Sequence, residues 1–173
     1  HPYKLRARSL FLFVSSLTVL WTYLAAALAR RPWGESLLAA SLVAGSFEFA
    51  THARWIAPDT VAASFAALAM ALSIGAIRRP RAGRYLVGAA IAAGVACGTK
   101  YNAGLLLVGV LLAAAAVGER LGAWPRRAGA VVGLVAVFAL TVCVTTPGVV
   151  LEHAIFLADV HRELDHYSSF HSQ

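Results

Sequence analysis

Acidic side chains are scarce in this chain: eight Asp and Glu among 173 residues, with charged residues of both signs only 13% of the total. That is too little polar surface to cover a soluble globule of this size, which excludes that class. Cysteine is nearly lacking too. Cys97 and Cys143 each lie inside an apolar run, which argues against a disulfide framework. The chain contains no nucleophile elbow, no P-loop, no Gly-rich dinucleotide motif, and no paired-Cys or His-Glu-x-x-His metal signature. It shows no clear internal repeat and no low-complexity linker between domains. No signal peptide is visible either: the chain opens at His1 without Met, carries "KLRAR" at once, and stops at "FHSQ". It reads as a piece of a longer protein.

What is present is apolar. Hydrophobic residues make up 60% of the chain and the mean hydropathy is +0.71. A helix needs ~20 apolar residues to cross the ~30 Å hydrocarbon layer, and long runs of that kind recur. The net charge of +7 sits in short Arg clusters between them. Membrane proteins place positive charge that way, so the partner is the lipid bilayer and not nucleic acid. The predicted fold class is all-α, a polytopic membrane helix bundle in one domain. About six spans are expected, over residues 9–29, 36–51, 60–77, 83–98, 103–117 and 128–146. Residues 149–173 mix acids and histidines with Ile155, Phe156, Val160 and Leu164, the pattern of an amphipathic helix on the surface.

The fourth and fifth of these spans come from one apolar stretch. Residues 83–117 as a single helix would measure ~52 Å at 1.5 Å per residue, too long for a bilayer. The stretch must break, and Gly98-Thr99-Lys100-Tyr101-Asn102 is the evident place. Arg counts then orient the bundle. With Arg30 and Arg31 cytoplasmic, alternation brings Arg78, Arg79, Arg81, Arg84, Arg120, Arg126 and Arg127 to the same side. Overall this is nine cations against six (Lys4, Arg6, Arg8, Arg54, Lys100 and Arg162), a modest preference, and across the loops between helices nine against two, Arg54 and Lys100. The stretch "HARWIAPD" from His52 to Asp59, the "GTKYN" break and the tail all emerge on the opposite, non-cytoplasmic face.

Three polar groups on one membrane face suggest a site, although outer loops need some polar residues in any case. An ammonium at Lys100 between two short helices is costly, ~3 kcal/mol if near the bilayer centre. It either meets an anion, such as the phosphate of a lipid-linked substrate, or snorkels to head groups. Tyr101 and Asn102 beside it can donate hydrogen bonds where the backbone breaks. Arg54 offers bidentate donation to phosphate, and Asp59 can ligate a cation or orient a hydroxyl. Alternatively the two form a local pair, or Asp59 answers the dipole of the helix it opens. Glu48 and His52, spaced i, i+4, share a helix face and either hold a divalent metal or hydrogen-bond. In the tail, His161, Glu163, Asp165, His166, Tyr167 and His171 match no strong metal signature.

Three stretches, "ARWIAPDTVAASFAALAMAL", "YLVGAAIAAGVACGTKYNAGLLLVGVLLA" and "TTPGVVLEHAIFLADVHRELDHYSSFH", resemble the dolichyl-phosphate-mannose protein mannosyltransferase family. Its bacterial relatives include the aminoarabinose transferase that acts on lipid A. The resemblance runs through nearly the whole chain. Gly98-Thr99-Lys100-Tyr101 and the Asp after Pro58 carry most of it. It implies part of a C-type glycosyltransferase fold in a bacterial plasma membrane, with the active site facing outside. It implies a polyprenyl-phosphate sugar donor and a protein, lipid or glycan acceptor. On this reading Lys100 binds the lipid phosphate, with Tyr101 and Asn102 beside it. Asp59 is catalytic, Arg54 and His52 line the site, and the stretch holding His166, Tyr167 and His171 closes over the donor. No cofactor is certain; a divalent metal, with Glu48 as its ligand, remains open. The family's principal catalytic acid lies in the first outer loop, so it is expected upstream of His1, and this piece alone is expected to be inactive. A segment of a secondary transporter or lipid flippase, with Lys100 at a broken helix, is the alternative. A structural membrane subunit without chemistry is a third.

Overall fold

A computed structural model describes residues 2–55, 57–122 and 124–170, and among these every regular element is a helix. In chain order they are α1 (Pro2–Leu28), α2 (Trp33–Ala44), α3 (Phe47–Arg54), α4 (Pro58–Arg78), α5 (Ala82–Thr99), α6 (Leu106–Ala116), α7 (Trp124–Thr145), α8 (Gly148–Leu151) and α9 (His153–Phe170). Short 3-10 turns, Tyr101–Leu105 and Gly118–Leu121, precede α6 and α7. Four helical segments are long and apolar enough to cross a membrane: Leu5–Leu28, Pro58–Arg78, Ala82–Thr99 and Trp124–Thr145. Trp33–Ala44 and Tyr101–Ala116 are apolar but shorter.

Local chemistry sets the breaks. After α1 the chain closes a Schellman turn: the Arg31 N–H donates to the Ala26 carbonyl at 3.1 Å and the Arg30 N–H to that of Ala27 at 3.0 Å. The turn forces Arg30 to φ 63°, a conformation glycine usually supplies, and Pro32 stops any continuation. The stretch drawn as one span over residues 36–51 is divided. Gly45 ends α2, and the Ser46 hydroxyl accepts from the Phe49 N–H at 3.2 Å to open a new helix, α3. The long apolar stretch over 83–117 is divided at Lys100, which lies extended at φ −149°, ψ 112°.

The core is built on small residues. Ala76, Ala89, Ala90, Ala93 and Ala96 are fully buried, with Leu86 and Val110 among the few larger side chains equally enclosed. Gly75 packs on the Tyr85 ring, and Gly88 faces Leu72. These pairings, together with contact between Asp59 and Lys100, fix α4 and α5 as antiparallel neighbours. On its other side α5 meets α7 through Gly94 and Gly98. A Cβ on Gly94 would stand 2.7 Å from Thr141 Cβ, and one on Gly98 2.1 Å from Thr145 Oγ1. Both pairs step by four residues in the same sense, so α5 and α7 run parallel. With lipid on the outside there is little hydrophobic gain in helix association, and close backbone approach through a Gly-xxx-Gly stripe takes its place.

This topology sorts the chemistry to the two ends of the bundle. One end carries the start of α4 and the ends of α5 and α7, from which α8 and α9 continue. The other carries the arginine loops. There Arg120 Nη1 donates to the Ile77 carbonyl at 2.9 Å and to that of Arg79 at 3.4 Å, satisfying carbonyls left open where α4 stops. Arg127 Nε likewise donates to the Gly122 carbonyl at 2.7 Å. The described side chains of α9 are exposed or half-exposed, and Arg162 pairs with Asp159 at 3.2 Å.

Candidate functional site

The site is built at the first of these ends. Pro58 occupies the opening turn of α4, where its missing N–H costs nothing, and Asp59 follows it. The next residue anchors the turn: buried Ser15 of α1 donates to Thr60 Oγ1 at 2.9 Å, and Thr60 itself donates to the Ala57 carbonyl at 3.3 Å. Opposite, α5 ends at Thr99 and the extended backbone of Lys100 turns its side chain onto Asp59. The ammonium donates to Asp59 Oδ1 in an ion pair whose partners are 38% and 46% exposed. Pairing at that exposure contributes ~1 kcal/mol or less, so the pair can open for another ligand at small cost. The end of α5 is tied down separately, with Thr146 Oγ1 donating to the Gly98 carbonyl at 2.9 Å.

Beside this pair lies a cleft of about 460 Å³, lined by Ser46, Glu48, Phe49 and His52 from α3 and its cap, and by Asp59 and Thr60 from α4. His52 Nδ1 stands 2.9 Å from the Glu48 carbonyl oxygen, which can only accept. Nδ1 therefore carries the proton, and in the neutral ring Nε2 is an acceptor. The ring leans on Trp55, centroids 6.2 Å apart at 50°. Among the described residues no three His, Cys, Asp or Glu side chains gather as a metal-binding group, so Glu48 has His52 and Asp59 as cleft neighbours but no assembled ligand set.

The expected site residues divide into three groups. Asp59, Glu48 and His52 share the cleft, and Lys100 joins them through Asp59. Tyr101 and Asn102 follow Lys100 in the exposed 3-10 turn. Arg54 goes elsewhere, lining a second cleft with Arg8 on the far side of α3. The side chains of His166 and Tyr167, and all of His171, lie outside the described residues. Sequence reasoning passed over Ser15, Ser46 and Thr60. Only Ser46 carries a readable signal, a capping residue after Gly45 and ahead of "FEF".

Chemically, the arrangement offers a cation for an anionic group, a carboxylate for a hydroxyl, and an imidazole acceptor, at the end of the bundle away from the arginine loops. A sequence model of the family described as dolichyl-phosphate-mannose-protein mannosyltransferase matches residues 4–146. None of the curated proteins and none of the solved structures compared matches the chain. The matched stretch takes in α1 to α7 with both Asp59 and Lys100, and four of its helices are fit to span a bilayer; the chain belongs to the dolichyl-phosphate-mannose-protein mannosyltransferase family of integral-membrane glycosyltransferases.

Proposed function

We propose that the chain serves sugar transfer from a polyprenyl-phosphate-linked donor to an acceptor hydroxyl, at the outer face of a bacterial plasma membrane. The observation that carries this reading is the Asp59–Lys100 pair beside a polar cleft, at the end of the bundle opposite nine arginines. Positive charge on the far loops favours the cytoplasmic side for that end, which leaves the cleft facing outward.

In the reaction the acceptor oxygen attacks the anomeric carbon. The bond from that carbon to the phosphate oxygen breaks, the phosphate leaves with the electron pair, and the hydroxyl proton passes to a carboxylate. Lys100 stabilises the charge that grows on the departing phosphate. Asp59 is the carboxylate this cleft presents to the hydroxyl. The two roles are linked, because a donor phosphate competes with Asp59 for the same ammonium. Donor arrival frees the carboxylate to face the acceptor. His52 Nε2 can accept a hydrogen bond from a sugar or acceptor hydroxyl across the cleft. A transporter or flippase segment, or a subunit without chemistry, has no comparable support beside the family match.

The test is sugar transfer by the full-length, membrane-embedded enzyme carrying Lys100→Ala. A charge-assisted contact to phosphate is worth about 1.5–3 kcal/mol, so transfer should fall about 10- to 150-fold. Transfer at the parent rate removes Lys100 from the site and the reading with it.

A further inference from the structure

The second cleft, about 450 Å³, is lined by Arg8 of α1 and by Phe47, Thr51, Arg54 and Trp55 at α3. Its make-up is the reverse of the first. No acid lines it, and among the described residues neither Arg8 nor Arg54 has an ion pair or a side-chain hydrogen bond. Two guanidiniums brought to one cleft from separate helices repel each other unless an anion lies between them. Each offers a rigid fork of N–H donors that matches phosphate oxygens.

The aromatic residues indicate where that phosphate comes from. Phe47, the first residue of the eight-residue α3, is 84% exposed, and Trp55, which caps its other end, is 73% exposed. A phosphate drawn from bulk water gains nothing from two bare aromatic rings. Rings of this kind, next to arginines and at the end of apolar spans, suit the boundary where lipid head groups meet acyl chains.

We propose that Arg8 and Arg54 form a second phosphate site, distinct from the Asp59–Lys100 cleft, whose ligand is the head-group phosphate of an anionic membrane lipid. The phosphate bridges the two guanidiniums while Phe47 and Trp55 rest against the upper acyl region. The lipid thereby pins α3, which forms a wall of both clefts, to the start of α1. The proposal stands independently of sugar transfer, since it concerns residues outside the first cleft.

The arginines at the far end of the bundle also attract anionic lipid, so the readout must be local. Trp55 is kept as the sole tryptophan by replacing Trp21, Trp33 and Trp124 with Phe, and the chain is placed in vesicles with lipids brominated near the head group. Brominated phosphatidylglycerol should quench Trp55 at a far lower mole fraction than brominated phosphatidylcholine. Arg8→Gln or Arg54→Gln should raise the half-quenching fraction about 5-fold, and both together about 30-fold, whereas Arg78→Gln/Arg79→Gln at the other end should not move it. Helicity by circular dichroism checks that each variant is folded, and Arg8→Lys/Arg54→Lys should restore part of the preference. Unchanged quenching in the folded double Gln variant overturns the proposal. So does displacement of phosphatidylglycerol by millimolar inorganic phosphate, which would make this a site for free anions.

Discussion

Two clefts of nearly equal volume, about 460 and 450 Å³, lie on either side of α3 and have opposite electrical character. One holds Glu48 and Asp59 with His52, and its nearby cation is already committed to Asp59. The other holds Arg8 and Arg54 and no acid. An eight-residue helix achieves the separation by phase alone. At 100° per residue, Glu48 and His52 fall on one side, while Phe47, Thr51 and Arg54 fall on another. Function can thus be segregated over a single turn or two of helix, without a second domain. The carboxylate side suits chemistry on hydroxyls, and the guanidinium side suits anchoring.

The largest effects should fall on the first cleft alone. Asp59→Asn should cut transfer by a factor similar to that of Lys100→Ala, and the two losses should nearly add, because in the reaction the ammonium faces the phosphate and the carboxylate the hydroxyl. A double loss no larger than either single one would mean that the two act only as a pair. Next in size is Gly98→Val, which drives a side chain into Thr145, a β-branched residue that cannot easily turn away. A loss of ~2 kcal/mol in stability is expected from the overpacking, read as a lower unfolding midpoint, with transfer reduced because Lys100 moves with the end of α5. Thr60→Val leaves buried Ser15 without its acceptor and should cost ~1 kcal/mol by the same measurement. It loosens α1, which bears Arg8, from α4, which bears Asp59, and so tests whether the clefts communicate through that bond. The smallest is Ser46→Ala. Loss of the cap should cost ~0.5–1 kcal/mol, and because α3 borders both clefts it should weaken transfer and Trp55 quenching together. A change in only one of them would show that α3 is held by that cleft's contacts and not by its cap.

Much of the molecule was readable from the chain. The apolar runs and scarce charge specified an all-helical membrane bundle, and Gly98 to Tyr101 with Asp59 pointed to the family that the match confirms. The length argument over residues 83–117 pointed to the place where the chain leaves α5. What sequence could not supply was the partner of Lys100. Asp59 lies 41 positions away, and only the antiparallel register of α4 and α5, set by glycines against Tyr85 and Leu72, brings the two together. Arg54 was grouped with Asp59 because they are close in sequence. The grouping overlooked α3 as a helix of its own, since its apolar flanks read as the tail of one longer span over 36–51. Gly45-Ser46 was the available signal, and once α3 is drawn as a helix its phase distributes Glu48 and Arg54 between different clefts.

The hydroxyl of Thr146 holds the last free carbonyl region of α5, at Gly98, two residues before the ammonium, and Pro147 follows at once and leads into α8 and α9. That bond joins the end of α5 to the point where α7 gives way to α8 and α9, so the residue bearing the ammonium is tied to the base of the two helices that follow.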